Sequence, residues 1–212
     1  MKSMKVLLLA GTILALAAGS AAAAIQKGSS VLGIQVTEGN GDFVDIEGGS
    51  GFIQPFRHPT LGVQLQYWRL MTDEYAMNVA GGFGFARETD NPGVNAAGIP
   101  SFRDSYSDWE FRVGGDRVAK VNDRFHLFAG PGIAVMGAKV KFENGAATAE
   151  SQTALRYGLD GRMGAMIHWS ESFGMVGQMG HYWALASAKE VGAESKWTAS
   201  GSNGAMGFFF TF

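Results

Sequence analysis

The 212-residue chain has no cysteine. That excludes a disulfide framework, a thiolate metal site, thiol catalysis and a lipid anchor carried on an N-terminal cysteine. Charge is also scarce. Asp, Glu, Lys and Arg make up 17% of the residues, 17 basic against 19 acidic, with no run of one sign. The basic footprint of a nucleic-acid binder is therefore absent, and no nucleic-acid partner is expected. Beyond residue 24 no apolar run approaches the roughly 20 residues of a spanning helix.

The first 24 residues are different. Lys2 and Lys5 precede an apolar run from Val6 to Ala18, and Ala21 to Ala24 follow with small side chains. Basic, apolar and small segments in that order predict a secretory signal peptide over 1–24, cut just before Ile25. The expected mature chain, 25–212, has 15 basic against 19 acidic residues and is long enough for one domain.

What the mature chain has in quantity is glycine (31 residues in the whole sequence), aromatics at 12%, and alternation. Leu155, Tyr157, Leu159, Met163, Ile167 and Trp169 share one parity, against Arg156, Gly158, Asp160, Arg162, Gly164 and His168 on the other. A period of two is that of a strand with one apolar face. Leu61 to Tyr67, Tyr75 to Phe85, Trp109 to Val113 and Phe173 to Trp183 repeat it. Alternation does not say which face is inside. The apolar sets end in large aromatics and the polar sets are rich in Gly, Ala, Gln and paired charges. That choice predicts apolar residues outward toward lipid.

Eight strands are expected, near 29–37, 60–71, 75–87, 106–118, 124–141, 153–169, 172–187 and 198–212. Tight turns (72–74, 120–123, 170–171) alternate with long connections (38–59, 88–105, 142–152, 188–197). The fold class is all-β, an eight-stranded antiparallel up-and-down transmembrane barrel. Two aromatic belts follow. Tyr67, Tyr75, Phe125, Trp169, Phe173 and Phe212 lie at the short-turn end, and Phe85, Trp109, Tyr157 and Trp183 at the long-loop end. Pro131 interrupts the fifth strand and predicts a β-bulge, because a closed barrel has no edge for a missing donor. A register shift after it would explain the parity of Val140 and Phe142; Lys139 and Lys141 standing above the lipid would explain it equally.

An interior this narrow is filled by side chains. Asp108, Glu110 and Asp160 against Arg112, Arg156 and Arg162 sum to zero, which suits a mutually satisfied network rather than an ion path.

The ending Met206-Gly207-Phe208-Phe209-Phe210-Thr211-Phe212, the segment LGVQLQYWRL (61–70) before MNVAGGFGFA (77–86), and FHLFAGPGIAVMG (125–137) resemble the small outer-membrane barrels of the OmpA/OmpX/Ail-Lom kind. The resemblance implies a monomer in the outer membrane of a Gram-negative bacterium, among lipid and lipopolysaccharide. It implies that Phe208, Phe210 and Phe212 are read by the barrel assembly machinery. Function would lie in the external loops: adhesion, host-factor binding or envelope stability, through a host or envelope protein. A lipid A-modifying enzyme and a narrow ion channel are the alternatives.

Candidate sites are few. An ester hydrolase needs a serine activated by a histidine and an orienting acid. His181 with Ser187 and Glu190 or Glu194 is the one candidate set, and Trp183 stands where the lipid A deacylases carry their serine. No catalytic residue and no cofactor is expected. His58, His126, His168 and His181 are far apart in sequence, and none forms a close ligand pair. Glu38, Asn40, Asp42, Asp45 and Glu47 offer oxygens to calcium but lack EF-hand spacing and read as a solvated acidic loop. No metal site is assigned. In the same loop Phe43, Phe52 and Phe56, with Val44, Ile46 and Ile53, suggest either a hairpin extending the barrel or a contact surface.

Overall fold

The computed structural model describes residues 25–39, 43–44, 61–90, 102–144, 147–150, 154–190 and 193–212. Eight long antiparallel strands follow in chain order: β1 Ser30–Gly39, β2 Leu61–Leu70, β3 Tyr75–Asp90, β4 Phe102–Lys120, β5 Phe125–Asn144, β6 Ala154–His168, β7 Phe173–Glu190 and β8 Ala193–Thr211. Each pairs with its sequence neighbours, and β1 pairs with β8 from Val31 opposite Thr211 to Gly39 opposite Asn203. That last pairing closes the sheet into a barrel and removes both edges.

The two faces separate as the alternation requires. On β2 the pattern is strictly exposed then buried, with Leu61 at 65% exposure and Gln66 at 1%. Ile133, Leu159 and Met179 are similarly open, while Asn78, Asp116 and His126 are sealed inside. So many large apolar side chains on one continuous surface would be untenable in water. The barrel is apolar outside and carries its buried polar side chains within. The outward run from Leu155 to Ile167, at about 3.3 Å per residue and a tilt of about 40°, spans roughly 30 Å, the thickness of a bilayer core.

The three short turns share one construction. The backbone N–H groups of Met71 and Thr72 donate to Tyr75 O, those of Val121 and Asn122 to Phe125 O, and those of Trp169 and Ser170 to Phe173 O. Thr72 Oγ1 accepts from the N–H groups of Glu74 and Tyr75, and Asn122 Oδ1 from those of Arg124 and Phe125. A polar side chain thus folds each of these two turns, and an aromatic opens the ascending strand. In the second turn Lys120 Nζ lies 2.6 Å from Asp123 Oδ1, and that hydrogen bond, then its charge, holds the Asp123 carboxyl below the ordinary range.

The opposite end departs from the sequence expectation. β7 and β8 pair without a break from Phe173 opposite Phe210 to Glu190 opposite Ala193. The expected long loop at 188–197 is therefore paired strand up to Glu190 and again from Ala193. A short strand, Ala147–Glu150, pairs back onto Lys141 to Asn144, so most of 142–152 is paired as well. The 88–105 connection shrinks from both sides, since β3 runs to Asp90 and β4 begins at Phe102. Above the lipid both sheet faces are wet, so apolar alternation stops although pairing continues. Strands of 19 and 20 residues (β4, β5) double the 9–11 needed to cross a bilayer. Phe43–Val44 also joins the wall, pairing with Ala199 and Ser200.

Pro131 makes no bulge. Pairing of β5 with β6 runs unbroken through Pro131 opposite Gly161. Pairing with β4 lapses between Gly114 opposite Gly132 and Arg117 opposite Ala129, and resumes with no residue gained. The missing donor faces that lapse. Register is kept to the end of β5, so Lys139 and Lys141 stay on the outer face and no register shift follows.

Candidate functional site

The candidate site is the lumen, built in three storeys. Lowest, at the short-turn end, is an apolar plug of Val31, Trp68, Leu70, Val118, Phe128, Met166, Val176 and Phe209, with Ile25 tucked beneath it. Trp68 and Phe128 meet edge to face at 5.8 Å. Ile25, the first residue after the expected cleavage, is buried; residues 1–24 lie outside the described residues. The strand alternation hides this plug from sequence reading, because Trp68, Phe128 and Phe209 interrupt otherwise polar or small inward sets.

The middle storey is ionic. The six charges named from sequence all lie on inward parities, but they are not the whole set. Asp116, at 1% exposure, also faces in and is heavily bonded. It accepts from Trp68 Nε1 (3.0 Å), Asn78 Nδ2 (3.1 Å), and both Nε (3.1 Å) and Nη2 of Arg162. Among the described side chains of this storey and the one above, the inward count is thus four acids to three arginines, one acid more than the balanced set expected from sequence. Arg112 pairs with Asp160 and donates to Asn78 Oδ1. Arg162 sits over the plug, its Cζ 5.5 Å from the Trp68 ring and 5.6 Å from that of Phe128.

This arrangement explains Gly130-Pro131-Gly132. Asp116 and Arg112 come from β4, Asp160 and Arg162 from β6, with β5 between them. Each ion pair crosses β5 over a residue that has no side chain. Arg162 lies opposite Gly130 and Asp160 opposite Gly132. A Cβ on Gly132 would stand 2.5 Å from Asp160 Oδ1 and 2.9 Å from Arg112 Nε. We predict that Gly132→Ala costs about 1–3 kcal/mol by overpacking. The urea midpoint of the unboiled, fast-migrating gel band measures it; an unchanged midpoint would refute the crossing.

Two glutamines close the middle. Gln64 donates to Glu110 Oε1 (2.5 Å), and Gln178 donates across the lumen to Gln64 Oε1 (3.0 Å). A partly open cavity of about 20 Å³, space for about one water, lies beside them and reaches up to Met136, Tyr182 and Asn203. Uppermost, Arg156 Nη1 donates to the Tyr182 hydroxyl at 2.8 Å. Arg156 thus stands a storey above the Arg112 and Arg162 pairs, and Asp108 packs beside Gly84.

On the outer wall both aromatic belts carry the expected parity. Trp169, Phe173, Phe208 and Phe210 form a ring cluster at 5.1–5.8 Å separations. Phe212 is 72% exposed and Phe209, between these outward rings, is fully buried. At the upper belt the Trp109 indole covers Gly137 so closely that any Cβ there would collide with it.

The remaining candidates are redistributed. His181 faces outward and Ser187 is three outward positions further up β7, while the serine it meets is Ser202 of β8 (Nδ1 to Oγ, 2.9 Å). The side chains of Glu190 and Glu194, and all of Asn40, Asp42, Asp45, Glu47, Phe52, Phe56 and His58, lie outside the described residues, as does the Phe43 side chain. No cluster of three His, Asp or Glu suited to a metal occurs among the described residues. One sequence reading is overturned: His126 and His168 do meet, with ring centroids 5.2 Å apart, because β5 and β6 are neighbours.

No sequence-family model matches the chain, and no curated protein matches it by sequence. Solved structures do match. The outer-membrane protein OprG of Pseudomonas aeruginosa superposes with a TM-score of 0.55 at 11% identity, covering 91% of this chain and 99% of that one. The fold is that of the small eight-stranded outer-membrane β-barrels. Ail, the attachment invasion locus protein of Yersinia pestis, gives 0.47 at 13% identity over 88% of this chain and 99% of its own. Neisserial surface protein A gives 0.46 at 10% over 88% and 100%. At these identities the likeness is one of fold.

Proposed function

We propose that this outer-membrane barrel is a non-enzymatic, non-conducting surface protein whose working part is the wall and loops above the lipid. The observation that carries the reading is the stacked closure of the lumen by apolar plug, ion pairs and glutamine bridge. A barrel that transmits nothing acts through what it presents. Its termini and short turns face the periplasm, and the strand extensions and the four connections at the other end face outside. Partners are the surrounding lipid and lipopolysaccharide, and a host or envelope protein met by the upper rim.

Hydrolysis has one supporting contact, His181 with Ser202. Both sit on continuous strands whose N–H groups lie in the sheet plane, so nothing is aimed at a developing oxyanion. Lipid A spectra with and without expression are expected to be identical.

The test is on intact cells. An epitope placed between Val191 and Gly192 should be accessible to antibody, and the outer-membrane fraction should hold the protein as a heat-modifiable band. Replacing Phe43, Phe52 and Phe56 by serine should abolish adhesion or partner binding while that band persists. An inaccessible epitope, or a soluble periplasmic protein, would end the reading.

A further inference from the structure

His126 and His168 are each 1% exposed; neither ring nitrogen of His126 has a hydrogen-bond partner, and His168 has only an approach to the Ser170 backbone. A neutral imidazole carries one donor and one acceptor. Two buried rings that share a single backbone approach between them call for a ligand, since buried polar groups are nearly always satisfied. A third donor stands beside them. Met166 is the direct cross-strand partner of His126, lies two residues before His168 on the same inward face, and is 3% exposed. Two imidazoles and a thioether are thus gathered on adjoining strands.

The surroundings define the ion. Phe209 packs edge to face on His168 at 4.7 Å, and the cluster around Met166 is apolar. The nearest charges are on the turn below, where Lys120 and Asp123 are bound to each other. The one nearby carboxylate, Asp123, is engaged by Lys120 on the turn rather than aimed at the rings, so a hard divalent cation that wants oxygen is disfavoured. Imidazole and thioether suit a soft, singly charged ion. The spacing fits too. Two imidazoles bound at about 2.0–2.1 Å to one ion in a bent arrangement place their ring centroids roughly 5 Å apart, against the 5.2 Å found.

We propose that His126, His168 and Met166 form a binding site for Cu(I), at the foot of the lumen behind the Val121 to Arg124 turn. Resting on the orientation proposed above, the site lies at the periplasmic end of the lumen. Its notable property is that the ion would complete the plug rather than cross it.

Silver(I) is the redox-inert probe. Folded barrel in detergent micelles should bind one equivalent of Ag⁺ more than the His126→Phe/His168→Phe double variant, measured by titration calorimetry. Cu(I) held by a competing chromophoric chelator should give the same difference. Met166→Leu should weaken binding at least tenfold. The heat-modifiable band confirms that each variant is folded, and if the double variant does not fold, His126→Phe alone decides the point. Equal binding by wild type and folded variants, or no saturable binding by wild type, would overturn the site. Intact-cell surface accessibility is unaffected by these changes, so failure here leaves the functional reading standing.

Discussion

Replacing Asp116 by leucine is expected to destabilise the barrel by about 3–5 kcal/mol, the usual cost of stranding one partner of a buried ion pair. The carboxylate takes four hydrogen bonds from three side chains on β2, β3 and β6. Without it, the Arg162 guanidinium keeps its charge in a sealed interior, and the Trp68 and Asn78 donors lose their acceptor. The double change Asp116→Leu/Arg162→Leu should recover much of the loss, because removing both charges removes the desolvation burden. Urea titration of the unboiled gel band provides the comparison. A single variant within 1 kcal/mol of wild type would mean that Asp116 is not the hub of the lumen.

Phe209→Ala should produce a loss of similar size, about 3–5 kcal/mol, as for other fully buried phenylalanines. Its ring has no exposure and closes the plug against His168. The contrast with its neighbour is the informative part. Phe212 is mostly exposed, so Phe212→Ala should leave stability in detergent nearly unchanged while reducing the amount assembled in cells. On this expectation the two faces of the tail would carry separate roles. Equal losses in detergent from both changes would contradict the division.

Strand count, closure and facing direction were legible in the sequence because lipid outside and a crowded lumen inside impose opposite compositions on alternate residues. Leu61 to Tyr67 against Gln64 and Gln66 is sufficient to show it. The rule weakens wherever both faces meet the same medium. Above the membrane both are wet, so the upper parts of β7 and β8 read as a loop although they are paired to Ala193. At the foot of the lumen both faces are apolar, so Trp68, Phe128 and Phe209 gave no sign of the plug they build. Gly130-Pro131-Gly132 was misread for a different reason. A proline in a central strand suggests a bulge, whereas these glycines serve contacts between side chains on the strands to either side. Such three-strand relationships, like the meeting of His126 with His168, depend on register, which a single sequence does not state. Asp116 might have been found by extending the inward parity of Asp108, Glu110 and Arg112 by two further steps.

The central claim is that the lumen is closed. Wild-type protein folded and inserted into planar bilayers should therefore give no steady conductance, at any density at which antibody confirms insertion. Persistent open channels that scale with the amount inserted would contradict the account directly, since ions would then have to pass the apolar plug and the glutamine bridge.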